Sequence, residues 1–457
     1  MSSAGATPSL APLLARLLGS TEFAALETSL RRDGAAALIH VPHAAKGELV
    51  AALARRRRIA WIARDPEVAE RVAATMRSWF DDPSAVLLLE PRTALPFERG
   101  ELVVDESAGR VATLAAWGEA AGVQVIVTSV LAALQPTIAK GDVAGSVVTL
   151  RPGERIALDE VARRALALGY AAVPLVGLRG EIARRGGIVD IFPAGATLPL
   201  RIEWLGDEIE SIRAIDPSTQ RSGEDRALVR LLPASEFQLD AARVAAARAA
   251  AERLVGSDGD RLPSRLAEDL DRWESSLTVA ASGTAEPGDG VELWAPIIAP
   301  SRALDEIGEA LVVLDEPAEL LQVAASLARQ AEERRDALRT TRLLPKDWPS
   351  PLPGGEAVAS LLAAAGSARI ELTWSSEAGR LVGVAAEDPF HWHDPVVPSG
   401  RSRALREGIE SWRRDKARVV IVSEQAPRLA ELLGEAGEPT AIAAADRKST
   451  RLNSSHT

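Results

Sequence analysis

The sequence predicts an α/β protein, and three observations carry that prediction. Short apolar runs at Ala37–His40, Ile59–Ala63, Val86–Leu89 and Val123–Thr128 read as buried strands. Segments with helical spacing, such as Glu67–Phe80, separate them. That alternation indicates a parallel sheet covered by helices. After Leu150 the pattern changes to one helix followed by antiparallel strands, which is the order of a small α+β module.

Each further element follows from local chemistry. Leu158–Leu168 has a helical apolar stripe, and Gly169 stops it because glycine accepts the left-handed conformation that ends a helix. Residues 236–285 are rich in Arg and Ala and read as helical. Leu293–Ala299 and Ala310–Leu314 return to strand character. The stretch EDPFHWHDPVVPSG, within Ala385–Gly400, concentrates Pro and turn formers and predicts a boundary. A helix over Arg403–Arg414 and a strand over Arg418–Ser423 then open a further α/β unit that is cut short. No repeat is found at the periods of solenoids.

Composition excludes several classes. A chain of 457 residues accommodates about two to four domains. The net charge of −11 excludes a protein that coats nucleic acid. Only five of the 53 basic residues are Lys, which with the Ala-rich helices suggests a GC-rich bacterial gene. The absence of Cys excludes disulfides and thiolate metal sites. With no leader pattern and no apolar run of about 18 residues, a soluble cytoplasmic protein without membrane contact is expected. The final DRKSTRLNSSHT carries the chain's single Asn, Asn453, and breaks the apolar periodicity. It reads as an appended, non-native tail over residues 446–457, so the natural protein is expected to continue beyond about Ala445.

The first α/β unit invites a nucleotide site, and its residues argue against a working one. A phosphate-binding loop needs glycines that let backbone N–H groups wrap the phosphates, a Lys for their charge and a Ser or Thr for magnesium. After the first strand the chain reads His40-Val41-Pro42-His43-Ala44-Ala45-Lys46-Gly47-Glu48. The leading glycines are absent, Pro42 lacks an N–H, Glu48 adds negative charge, and no Ser or Thr follows Lys46. In ALVVLDEP, Asp315 and Glu316 end an apolar strand as a Walker B pair would, where Asp holds magnesium and Glu positions water. Such a strand is also the ordinary lead into a helix N-terminus. Lys46, Asp315 and Glu316 together therefore predict a degenerate nucleotide site with no catalytic residue and no bound cofactor. Arg55–Arg58 reads as a solvated helix end, with weak DNA contact as the lesser reading. His391-Trp392-His393-Asp394 reads as a loop with an anchoring Trp, without metal. The ten Trp residues read as packing residues.

The most informative stretch is GEIARRGGIVDIFPAGATLPLRIEWLGDEIESIRAIDPSTQR, residues Gly180–Arg221. Its ordered phrases are an Arg pair before two glycines, a strand ending in Phe192-Pro193, a second strand with Arg201, Glu203, Trp204 and Leu205, and a closing Asp-Pro-Ser-Thr-Gln-Arg. They resemble the second domain shared by the nucleotide-excision-repair protein UvrB and the bacterial transcription-repair coupling factor family. Residues 10–445 as a whole resemble the N-terminal, UvrB-like part of that family, most strongly over Ala121–Pro233. The resemblance implies a degenerate P-loop-NTPase-like domain in two parts, 10–145 and 233–380, around a UvrA-binding domain at 146–232. A truncated third α/β domain follows at 381–445. It implies UvrA as partner, with Arg185, Arg201 and Leu205 at the contact. RNA polymerase, double-stranded DNA, ATP and magnesium would belong to a missing C-terminal translocase. Strict alternation along Pro199–Leu205 would turn Arg201, Glu203 and Leu205 outward and Leu200, Ile202 and Trp204 inward. Ten Arg and ten acidic residues over Arg151–Arg221 are equally the balance of a plain solvated surface. The rival reading is a diverged UvrB-type excinuclease ATPase. It would require an intact loop and an aromatic hairpin, and Pro91–Ala108, at the hairpin's place, contains no Tyr.

Overall fold

The computed structural model describes residues 9–100, 102–119, 122–255, 261–279, 283–376, 381–392 and 402–414, with the single residues 428 and 431. Seven parallel strands form the main sheet. Their spatial order is Ala386–Glu387, Ala35–Leu38, Ala368–Leu372, Leu311–Asp315, Ile59–Ala63, Val125–Ser129 and Val86–Leu89. The four predicted N-terminal strands are present, with bounds displaced by at most two residues. Their near-continuous burial explains why they read as apolar runs without alternation: helices cover both faces of a parallel sheet. The helices start where expected. Asp65 accepts a hydrogen bond from the Val68 N–H and caps the Pro66–Arg77 helix.

The second sheet lies between the two groups of strands that build the first, so the chain leaves the main sheet and returns to it. Its spatial order is Ser222–Asp225, Glu208–Ile215, Leu200–Leu205, Ile188–Ile191, Glu181–Arg185 and Ala171–Ala172. The Leu158–Ala167 helix covers its inner face, and Gly169 beyond the helix has φ of +86°. A side chain at Gly169 would also meet Ser235 Cβ at 2.6 Å, so space as well as conformation requires glycine. The core of this domain is not its own alone. Ala108, Val111, Ile138 and Val143, from the first part of the chain, pack into it.

Two expectations are corrected by packing. Leu293–Ala299 is not a strand: Val291–Ile298 is a helix that contains Pro296. Val291 to Ala295 and Ile298 are buried on all sides of it, so the sequence shows an apolar run with no period to separate helix from strand. Trp294 stacks edge-on against Trp273 and Trp348, at 5.3 and 4.9 Å between ring centres. Together with the Ala241–Val255 and Ser264–Val279 helices they make a separate helical core beside the sheet.

The second correction concerns the segment that opens the expected third domain at Leu381. Residues 381–392 belong to the main sheet. Ala386–Glu387 pairs with the Ala35–Leu38 strand, and the Leu381 and Val382 N–H groups donate to the buried Glu371 carboxylate at 2.8 and 2.9 Å. Phe390 and Trp392 stack with 4.5 Å between centres and rest on the main core, so Trp392 does anchor its loop. The Ser402–Arg414 helix is present where expected. The predicted strand at Arg418–Ser423, His393 and the tail from residue 446 lie outside the described residues.

Candidate partner-binding face and two buried ion clusters

The outward face of the second sheet is set by register. Pairing places Ala183, Asp190, Arg201, Arg213 and Asp225 in one cross-strand row. Arg185, Ile188, Glu203 and Ser211 form the adjacent row. The alternation read from the sequence holds for Leu200 and Ile202, which are buried, and for Arg201 and Glu203, which face outward. It continues to the strand end, where Trp204 packs on the domain core and Leu205 faces out, because the bulge opposite Glu203 and Trp204 places its extra residue, Glu210, on the partner strand. Trp204 is half-buried, and its indole N–H donates to the Ile156 carbonyl at 2.9 Å. Leu205 follows it into a tight turn and is 74% exposed, the most exposed of the large apolar residues described.

Arg185 ends its strand before the Gly186-Gly187 turn, where Gly186 has φ of +60°. The Trp204 N–H donates to the Gly187 carbonyl at 3.0 Å, which brings Leu205 beside this turn. Arg185 and Leu205 therefore share one end of the sheet, and Arg201 lies one row away. Arg185 is exposed and donates to the Pro174 carbonyl at 2.8 Å. That bond brings the loop with the exposed Leu175 and Leu178 alongside. Guanidinium groups beside exposed apolar side chains form a surface suited to a protein partner.

Arg201 differs from a free surface arginine. Its Nε and Nη2 donate to the two Asp190 oxygens at 2.7 and 2.8 Å, a bidentate pair. Asp190 is the missed residue of this face: its side chain is 4% exposed and that of Arg201 19%. The signal was Asp190 itself, a charged residue inside the apolar strand IVDI.

Lys46, Asp315 and Glu316, expected from the sequence to mark a degenerate nucleotide site, do come together and satisfy one another. Lys46 lies inside the His43–Ala54 helix with its side chain 2% exposed. Its Nζ donates to Asp315 at 2.6 Å and to Glu316 at 2.5 Å. Glu316 also accepts from Thr373 Oγ1 at 2.6 Å and from the Trp374 N–H at 2.9 Å. Burial pushes the Glu316 carboxyl up, and the bonds from Lys46 and Thr373 outweigh it, so it stays below the usual carboxylate range. The cation that would meet a phosphate is enclosed by the two acids that would meet magnesium. Lys46 is therefore held in an internal ion triad.

A second buried ion cluster has no trace in the sequence. Arg92 donates from Nε to Glu292 at 2.6 Å and pairs through Nη1 with Glu236. Arg110 donates from Nε to the same Glu236 at 3.0 Å. Thr137 Oγ1 donates to Glu236 at 2.6 Å, and the Glu236 N–H donates to Ser107 Oγ at 2.8 Å. These residues join the end of the first sheet, the Val104–Glu119 helix, the strand exit of the second domain and the helical core.

The arginine run is largely committed to the protein. Arg55 lies over Phe80, Arg57 pairs with Glu27 at 3.4 Å, and Arg58 stacks on Trp117 at 3.5 Å from the ring centre. Arg56 is exposed. Among the described residues no group of three or more His, Asp or Glu is placed to hold a metal ion. None of their helices is long and apolar enough to cross a membrane.

Residues 148–237 match the family described as the UvrB interaction domain. The chain is similar to the transcription-repair-coupling factor of Mycobacterium tuberculosis (strain CDC 1551 / Oshkosh), 34% identical over 254 residues that make up 52% of this chain and 20% of that protein. The Myxococcus xanthus transcription-repair-coupling factor is 31% identical over 291 residues, 61% of this chain and 23% of that protein. The Escherichia coli (strain K12) factor is 37% identical over 100 residues, 22% of this chain and 9% of that protein. The chain spans about a fifth of the length of the first of these relatives.

Proposed function

We propose that this chain, a relative of the transcription-repair-coupling factors, is a recruitment module that binds UvrA and so couples stalled transcription to nucleotide excision repair. The observation that carries the reading is the match of residues 148–237 to the UvrB interaction domain, on a sheet whose exposed corner holds Arg185, Arg201 and Leu205. In the whole protein, ATP-driven translocation on double-stranded DNA and contact with RNA polymerase would lie in segments outside this chain. Its place of action would be the cytoplasm.

UvrA binding by the full chain, measured calorimetrically, tests the reading. Arg185→Ala is expected to weaken UvrA about 30-fold, the effect of losing about 2 kcal/mol at the centre of an interface. Its melting temperature should stay near the parent's, because Arg185 is exposed and makes a single internal bond. Leu205→Asp should weaken binding comparably, and Arg56→Ala should bind as the parent does. Parent-like affinity in both Arg185→Ala and Leu205→Asp would move the recruitment face elsewhere.

The competing excinuclease ATPase reading requires a nucleotide site. The enclosed Lys46 and the absent loop glycines support a chain that does not bind ATP. Titration with ATP and magnesium is expected to release no heat beyond dilution. A magnesium-dependent micromolar site would restore the ATPase reading.

A further inference from the structure

We infer that Asp190 is a positioning residue for partner recognition, holding the Arg201 guanidinium at a fixed place and angle on the second-domain face. The inference rests on the recruitment reading above and adds a residue that the resemblance did not supply. Register puts Asp190 and Arg201 directly opposite each other on neighbouring strands. It puts Arg213 opposite Arg201 on the other side. Arg213 is drawn away by Asp225 at 3.0 Å and by Glu203 at 3.7 Å. Arg201 thus has a like charge on one flank and an anchoring carboxylate on the other. Like charges directly opposite each other repel, so the anchor decides where the guanidinium rests.

The chemistry of the anchor leaves Arg201 able to bind further. A guanidinium carries five N–H groups in one plane. Asp190 engages Nε and one hydrogen of Nη2, through bonds of 2.7 and 2.8 Å. The remaining N–H groups lie on the other edges of the plane, where an acceptor on the partner meets a group whose rotamer freedom is already spent. Fixing a long side chain in its bound conformation beforehand strengthens binding by lowering its ordering cost. Asp190 itself is enclosed, with a side chain 4% exposed, so it acts through Arg201 and not by touching the partner. Ala183, its neighbour on the far strand, brings no competing cation to that side of it.

The test is a double-mutant cycle in the full chain with UvrA as the probe, read by calorimetry alongside guanidinium denaturation. Arg201→Gln is expected to weaken UvrA about 30-fold. Asp190→Asn should weaken it about tenfold, within the range for coupled neighbours. Asp190→Asn combined with Arg201→Gln should bind no more weakly than Arg201→Gln alone, because Asp190 has nothing left to position. Asp190→Glu, which keeps the charge but moves it outward, should fold and fall between the parent and Asp190→Asn. If Asp190→Asn does not fold, Asp190→Glu with and without Arg201→Gln forms the same cycle. Parent-like affinity in the Asp190 variants, or losses that multiply in the double variant, would overturn the inference while a weakened Arg201→Gln kept the recruitment reading. Parent-like affinity in Arg201→Gln would remove Arg201 from the contact and overturn the inference alone, whereas no UvrA binding by the parent chain would overturn the recruitment reading.

Discussion

Glu236→Gln is expected to be the most damaging single substitution in the described residues, with a loss of about 3–5 kcal/mol. Glu236 is fully enclosed and stands between two equally enclosed arginines, Arg92 and Arg110. With Glu292 included, the cluster holds two cations and two anions. Removing one anion leaves an uncompensated cation away from water, which costs far more than the intact pairs contribute. Burial pushes the Glu236 carboxyl up, and the charges of Arg110 and Arg92 outweigh that, so it sits below its ordinary value. A lowered folded value means that the stabilisation is present above the unfolded carboxylate range, near about 4.3, and is lost as pH falls through the folded value. Denaturant midpoints for parent and variant at pH 7 should therefore differ widely, and the gap should narrow in strong acid. A loss below about 1 kcal/mol at pH 7 would show that water or rearranged side chains reach the cluster.

Lys46→Met is expected to cost about as much, and for a related reason. The residue would be the phosphate-binding lysine of a working loop, where its loss would abolish nucleotide binding and leave the fold intact. Here it neutralises Asp315 and Glu316 at 2.6 and 2.5 Å, so its loss leaves two neighbouring carboxylates enclosed without a cation. The Glu316 carboxyl is held below its usual range in the parent, so its contribution is complete at neutral pH and fades in acid. In the variant a proton on Glu316 can relieve the repulsion between the two acids. Denaturation at pH 7 and again near pH 5 should show the larger penalty at pH 7. An equal penalty at both values, or none, would mean that the triad does not stabilise the fold.

The sequence was informative where the deciding forces are local. Short continuous apolar runs placed the strands at Ile59–Ala63 and Val86–Leu89, and helical spacing placed the Leu158–Ala167 helix, within a residue or so. It failed at Val291–Ile298, where every side is buried and no period exists to be read. It failed again at 381–392, where Pro and turn formers suggested a boundary but a two-residue strand adds to the edge of the main sheet. The alternation along Leu200–Leu205 was legible, and the bulge in its partner strand was not.

The candidate sites divide the same way. The missing glycines, Pro42 and the residue after Lys46 are properties of one short segment, so the expectation that this loop does not bind phosphate rests on the sequence alone. The order of phrases from Gly180 to Arg221 likewise sufficed to mark the second domain. Only the tertiary structure decided what the charges do. Lys46 and Asp315 are 269 positions apart, Arg92 and Glu292 are 200 apart, and no local pattern pairs them. Arg201 and Asp190 are 11 apart, and strand register alone makes them neighbours. An enclosed charge is tolerated only beside its counter-charge, and the partner is chosen by how helices and strands pack once the chain has folded.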